Sequence, residues 1–499
     1  MAEKYVLVID EGTTGTRALI IDRMSRIKGQ AYTEFTQYNP AQDRVEHDAE
    51  EIWSKTLLMI QGALKDGGLG IEDIAAIGIT NQRATTVVWN KTTGKPVTPA
   101  IVWQDTRTAG LIETIREEWQ DKVYEHTGWA LAPVYSSLSL YWIMENVSEA
   151  RHLAETGELS FGTIDSWLIY KLTGGAVHAI SASNASVTGS YDLTRNEWYH
   201  EWLEFLGLPL SIFPEVRDDS GEFGVSDPSV LGAAIPITGA IADQHAALFA
   251  QQCVTPGTVK VTHGTGTFMD MNVGSQLVIS KNGLNTVIAW RRNGEIMYGL
   301  EGYAAVTGSA VQWLRDGAGL IASSAETEAL ATSISDNGGV YFVPALTGLS
   351  APYWDSFARG MIIGITRGTK REHLVRATLE GIVYATKDFL EAMQHASGVE
   401  IKSMKVDGGA SRNNFLMQFQ ADMLNAEVVR PAVAEATSLG AAYMAGLAVG
   451  YWDSPEACFA GQDVDRVFNP QMPEKRRNQL YAEWGEAVKR SMGWARNVK

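Results

Sequence analysis

Tyr5-Val6-Leu7-Val8-Ile9-Asp10-Glu11-Gly12-Thr13-Thr14-Gly15-Thr16-Arg17 is the stretch whose reading decides the fold. An apolar run over 5–10 ends in small and hydroxyl residues, and a second apolar run follows over 17–22. That pattern predicts a buried strand, a tight turn at 11–16 with Gly where the backbone reverses, and a returning strand. The device recurs past the midpoint: an apolar run at 259–262, the turn His263-Gly264-Thr265-Gly266-Thr267, and a strand at 268–272. Either turn alone reads equally well as an ordinary hairpin. Together they suggest an internal duplication, with its boundary near 246–257.

Outward from these units, strands and helices alternate, as in an α/β protein. Residues 46–65 place Ile52, Thr56, Met59, Ile60 and Ala63 on one helical face, and 74–80 and 86–89 read as strands. Helices are expected at 304–314, 371–395 and 435–449, and strands at 340–343 and 404–407. Residues 218–234, rich in Gly, Ser, Asp and Pro, read as a surface loop.

Composition removes several function classes. The 499 residues exceed what one core encloses, so two or three domains are expected. With 41 Lys+Arg against 58 Asp+Glu, the net charge of −17 argues against nucleic-acid binding and against electrostatic attachment to anionic membranes. A hydrophobic fraction of 45% excludes a disordered chain. The longest nearly apolar stretch, 439–452, is too short to cross a bilayer, so no membrane insertion is expected. No basic leader precedes the first strand, and two cysteines, Cys253 and Cys458, make no disulfide framework; a cytoplasmic protein is expected.

Five motifs bear on chemistry. Asp10, at a strand end, can hold Mg2+ directly or through water, while the small residues after it let backbone N–H groups approach phosphate oxygens and Arg17 supplies charge. The Gly-Lys-Ser/Thr ending of a P-loop is missing. The 263–267 turn repeats the device, and two such hairpins face to face would clamp a nucleotide tail. Val406-Asp407-Gly408-Gly409-Ala410-Ser411 leaves a turn without side chains, suited to a flat ring or a ribose, or simply to close packing of helix on strand. In Ala242-Asp243-Gln244-His245, Asp243 reads either as a helix cap or as a general base. Asn81-Gln82-Arg83 and Trp103-Gln104-Asp105-Thr106-Arg107 put polar side chains at strand ends, as ligand contacts or as surface loops. His47, His126, His245 and His263 lack metal-ligand spacing and read as structural or exposed.

Taken together the motifs resemble the FGGY family of carbohydrate kinases, and within it the members that act on glycerol. The resemblance runs through 77–83, 100–104, 161–163, 312–316, 344–349, 351–355, 360–380 and 414–420, nearly the whole chain. It implies two actin-like (ribonuclease-H-like) α/β lobes with a cleft between them. Lobe 1–250 would hold the polyol and the first phosphate hairpin, and lobe 251–499 the nucleotide. It implies ATP phosphates near Thr13, Thr14, Arg17, Thr265 and Gly266, with Gly308, Gln312, Gly409 and Asn413 at the rest of the nucleotide. Asp10 matches the carboxylate associated with Mg2+, Asp243 the catalytic base, and Arg83, Trp103, Asp243, Gln244 and Phe268 the polyol contacts. The implied reaction moves the γ-phosphoryl group of ATP to a primary hydroxyl of a small polyol, in a homo-oligomer (dimer or tetramer).

Three positions depart from those members. Arg83-Ala84-Thr85 stands where they have Arg-Glu-Thr, Val134 where they have tyrosine, and Ser139 where the family has lysine. Each lost polar contact is worth roughly 1 kcal/mol. Ala84 and Val134 would enlarge the pocket, which favours a tetritol or pentitol beside glycerol. The alternatives are a ketose kinase of the same family and an actin-like nucleotide switch, though a switch has no use for the set Arg83, Trp103, Asp243 and Gln244.

Overall fold

The computed structural model describes residues 3–280, 283–304, 306–432 and 435–496. The opening stretch folds as a hairpin of β1 (Tyr5–Glu11) and β2 (Gly15–Ile21), with Asp10 opposite Arg17. The Gly12 N–H closes the turn on the Gly15 carbonyl at 3.0 Å. A side chain at Gly15 would place its Cβ 2.5 Å from the Thr33 carbonyl oxygen, so only glycine fits there. β3 (Ile27–Glu34) continues the antiparallel run, and β4 (Ile74–Asn81) and β5 (Ile237–Ala242) extend the sheet on the other side of β1 as parallel strands. The order is β5-β4-β1-β2-β3. Helix α1 (Ala49–Gly67) starts where the Asp48 carboxylate accepts the Glu50 and Glu51 amides and stops at Gly68 in the left-handed region. It buries the expected face of Ile52, Thr56, Met59, Ile60 and Ala63. Helix α2 (Asp243–Ala250) follows β5 directly.

The second sheet repeats this core. β6 (Thr258–His263) and β7 (Thr267–Gly274) form the second hairpin, β8 (Asn285–Arg292) and β9 (Glu295–Ala304) extend it antiparallel, and after α3 (Arg371–Ser397) the strands β10 (Ser403–Asp407) and β11 (Glu427–Pro431) add parallel to β6. Helix α4 (Asn414–Leu424) separates those two strands, and β12 (Val464–Phe468) closes the edge. The order β9-β7-β6-β10-β11 mirrors β3-β2-β1-β4-β5. Two copies of one α/β unit therefore stand in the chain, as the two hairpins suggested.

The chain does not divide cleanly at its middle. Helix α5 (Ala436–Ala448) returns to the first sheet and packs Leu439, Tyr443 and Met444 against Val6, Val8, Leu19, Ile241 and Phe249. Its approach is close because small residues meet: a Cβ on Gly440 would lie 2.1 Å from the Ala246 carbonyl oxygen, and one on Gly78 2.4 Å from that of Ala441. Gly440→Ala is therefore expected to cost about 2 kcal/mol, the usual penalty for overpacking. It should appear as a lower Tm, whereas an unchanged melt would show that the two helices can part freely.

Three local readings differ from the structure. The helix expected at 304–314 begins at Gly308 because Ala304 is still paired with Thr267 in the sheet; residue 305 lies outside the described residues. The strand near 86–89 is Val87–Asn90, in a separate two-stranded ribbon with Leu159–Gly162. The 218–234 loop turns partly inward: Asp219 is buried and accepts the Ser183 and Arg291 amides at 3.1 and 2.7 Å, so its polarity serves buried backbone rather than water. Among the described residues no helix is long and apolar enough to cross a membrane.

Candidate active site

Parallel pairing levels the strand ends of the first sheet. Glu11 stands beside Asn81, and Asn81 beside Ala242. Asp10, Arg83 and Asp243 therefore emerge at one edge, where open α/β sheets take their ligands. In the second sheet Thr262 pairs with Asp407, which brings the 263–267 turn and Gly408-Gly409 to one edge as well.

Asp243 is the first residue of α2, and its carboxylate takes the Gln244 amide at 2.6 Å. Arg83 lies 3.6 Å from it through Nε and reaches across to Glu301 of β9 at 2.5 Å. Burial raises the pKa of Asp243, opposed chiefly by the Arg83 guanidinium. Asp10 accepts the Ser438 hydroxyl at 2.5 Å, and burial pushes its pKa up to about 6, against that bond and the Arg17 charge. A cation would relieve such a carboxylate. Among the described residues no group of three or more His, Cys, Asp or Glu forms a metal-binding cluster. Arg17 is paired with Glu435, just before α5.

The other expected residues divide by position. The Trp103 indole donates to the Thr13 hydroxyl at 3.0 Å, which ties Trp103 to the first hairpin; Thr14 is exposed at its tip. In the second hairpin Thr265 is exposed and Gly266 buried, with Gly264 N–H closing on the Gly266 carbonyl at 2.9 Å. Phe268 packs on Tyr303 with ring centroids 4.5 Å apart. Thr265, Gly308, Gln312, Gly409 and Asn413 line one cavity of about 780 Å3, a size that admits a nucleotide. Gly266, Thr13, Thr14 and Arg17 are not among its lining residues. Asn413 is a wall residue: its side-chain Oδ1 accepts the Leu416 amide to cap α4, and its side-chain NH2 donates to the Thr327 hydroxyl.

Ala84 is buried with φ of 60°, and Val134 packs against the apolar core. Tyr135 does not take the place of the tyrosine that Val134 displaces, because its hydroxyl is buried on the Trp129 carbonyl at 2.6 Å. His47 and His263 are buried and hydrogen-bonded, the latter to Thr267 and Gln420.

Sequence reasoning missed Glu301, Lys260 and Asp270, which stand on neighbouring strands of the second sheet. It also missed Glu11, a carboxyl buried beneath the first hairpin, bonded to the hydroxyls of Thr16 and Thr56 at 2.7 and 2.6 Å and pushed by burial up to about 8.

Comparison with known proteins gives a consistent result. Residues 5–250 match the N-terminal domain of the FGGY family of carbohydrate kinases, and 259–449 its C-terminal domain. Glycerol kinase 2 of Thermotoga maritima is 50% identical over 492 residues, covering 98% of this chain and 99% of its own. Glycerol kinase 2 of Sulfolobus acidocaldarius is 50% identical over 498 residues, 100% of both chains. The crystal structure of Plasmodium falciparum glycerol kinase with ADP superposes with a TM-score of 0.93 at 33% identity, covering 98% of each chain.

Proposed function

Because the chain belongs to the FGGY family of carbohydrate kinases it is an ATP-dependent phosphotransferase, and we propose that its acceptor is a primary hydroxyl of a small polyol, either glycerol or a polyol one or two carbons longer. The observation that carries the reading is the Asp243–Arg83–Glu301 cluster: a base-forming carboxylate from one lobe is oriented by a guanidinium anchored on the other.

In this mechanism the polyol lies against Arg83, Trp103, Gln244 and Phe268, with Ala84 and Val134 giving an apolar wall. Asp243 accepts the proton of the attacking hydroxyl, and Arg83 donates hydrogen bonds that fix the chain of hydroxyls. The nucleotide occupies the second-lobe cavity, and its phosphates meet the amides of both hairpins at Thr13, Thr14, Thr265 and Gly266, with Arg17 leaving Glu435 to meet them. Mg2+, held on the Asp10 side, would neutralise phosphate charge. Catalysis of this kind is positioning plus electrostatics.

The test is a coupled ADP-release screen over glycerol, tetritols, pentitols and ketopentoses. Turnover with a polyol is expected. Turnover only with ketopentoses would shift the reading to a sugar kinase, and ATP-driven assembly with no phosphorylated product to a nucleotide switch.

A pH prediction follows from the Arg83 charge. Asp243 works ionised, so kcat/KM falls on the acid side as it protonates. Removing the cation beside it raises its pKa, because Arg83 is the leading group that holds it down. Arg83→Met is therefore expected to move the acid limb to higher pH, beyond its loss of polyol affinity. A limb that stays in place or moves lower would remove Asp243 as the titrating base.

A further inference from the structure

Lys260 is a charged residue where the sequence calls for an apolar one. It sits mid-strand in β6 between Val259 and Val261 and is 2% exposed. Among the described residues its ammonium has two hydrogen-bond partners. One is Asp270, directly opposite on β7, at 3.0 Å. The other is the side-chain oxygen of Gln244, on α2 of the first lobe, at 2.7 Å. Asp270 in turn stands opposite Glu301 on β9, so Lys260, Asp270 and Glu301 form a row on three adjacent strands facing Arg83, Asp243 and Gln244.

A lysine ammonium only donates. It therefore fixes which end of the Gln244 amide faces it: the carbonyl oxygen is taken, and the NH2 is turned away. That NH2 has no protein partner among the described residues, and Gln244 is partly exposed beside Asp243. Asp243 and Glu301 already offer carboxylate acceptors here. A substrate hydroxyl has one hydrogen to give and two lone pairs to fill. An amide that turned its oxygen to the cleft would compete with those carboxylates for that hydrogen, whereas an amide held NH2-outward completes the hydroxyl's set.

We propose that the buried Lys260–Asp270 pair is a positioning device for polyol recognition, which locks the Gln244 amide from across the lobe boundary so that its NH2 donates to a substrate hydroxyl. This rests on the polyol-kinase reading above. It gives a purpose to a buried ion pair, which is a poor source of stability compared with apolar side chains of the same size.

The test removes the pair without leaving an orphan charge. Lys260→Met with Asp270→Leu is expected to raise the polyol KM about tenfold, a free-energy change of the size of one lost hydrogen bond, with the ATP KM within about twofold of wild type. Gln244→Ala should do the same, and the combined variant should be no worse than the weaker of the two, because all three act through one contact. Multiplying effects, an equal rise in ATP KM, or an unmoved polyol KM would each overturn the proposal. Gln244→Glu is the second arm if the paired replacement does not fold. It keeps the shape and the Lys260 contact but presents an oxygen to the cleft, so a similar rise in KM is expected, and a wild-type KM would refute the amide's role. Wild-type protein that phosphorylates no polyol would instead remove the underlying reading, which separates the two failures.

Discussion

Asp243→Asn is expected to lower turnover by about three orders of magnitude in a protein that still folds and still binds nucleotide. The change keeps the size of the side chain and removes its ability to take a proton. A positioned general base contributes roughly 100- to 10,000-fold, so kcat should fall by about 1,000-fold. ATP affinity should move little, because the cavity that suits the nucleotide lies at the other lobe's strand ends. Stability gives an independent signature. The Asp243 pKa is raised by burial, so between its unfolded and folded values the folded chain binds the extra proton, and above the folded value the buried charge counts against folding. Asparagine removes that penalty, and Arg83 keeps its Glu301 partner. The Tm at neutral pH should therefore be no lower than that of wild type. A variant that retained a tenth or more of wild-type kcat would end the assignment of the base.

Gly409→Trp is expected to produce the complementary failure. A Cβ built on Gly409 meets nothing within 4 Å, so the backbone accepts a side chain, and that side chain projects into the cavity of about 780 Å3 that the residue lines. On the function proposed above, an indole there occupies space the nucleotide would take. The ATP KM should rise by roughly 100-fold or more while polyol affinity, measured calorimetrically without nucleotide, is retained. Wild-type ATP affinity would place the nucleotide elsewhere. Its neighbour supplies the control: Gly408 has φ of 84°, and a Cβ on it would lie 2.4 Å from the His263 carbonyl oxygen. Gly408→Ala should therefore lower Tm by distorting the join of β6 and β10, a defect of folding rather than of binding.

The two hairpins were legible because each is a local event, in which a reversal needing Gly and small hydroxyl residues leaves its mark in consecutive positions. The Gly408-Gly409 turn was legible for the same reason. Glu301, Asp270 and Lys260 were not, since strand register brings them together from separate segments. A trace was present all the same. Val259-Lys260-Val261 and Met269-Asp270-Met271 each set one charge inside an apolar strand, and a buried charge demands a partner. Tyr135 shows the opposite limit: sequence placed it next to Val134, but only the backbone direction reveals that its hydroxyl points into the core. The helix near 435–449 was found by its composition, while its destination on the distant first sheet was not, because the Gly78, Gly239 and Gly440 that admit it look like any other glycines.

That late return of α5 bears on how the protein is made. Val6, Val8, Leu19 and Ile21 leave the ribosome long before the helix that covers them, which is completed only at Ala448. The first sheet is complete once β5 ends at Ala242, and from then until α5 is made it carries an apolar face that this helix has yet to cover. Productive biogenesis then depends on shielding that face until the tail arrives, and slow elongation late in the message would lengthen the window for aggregation.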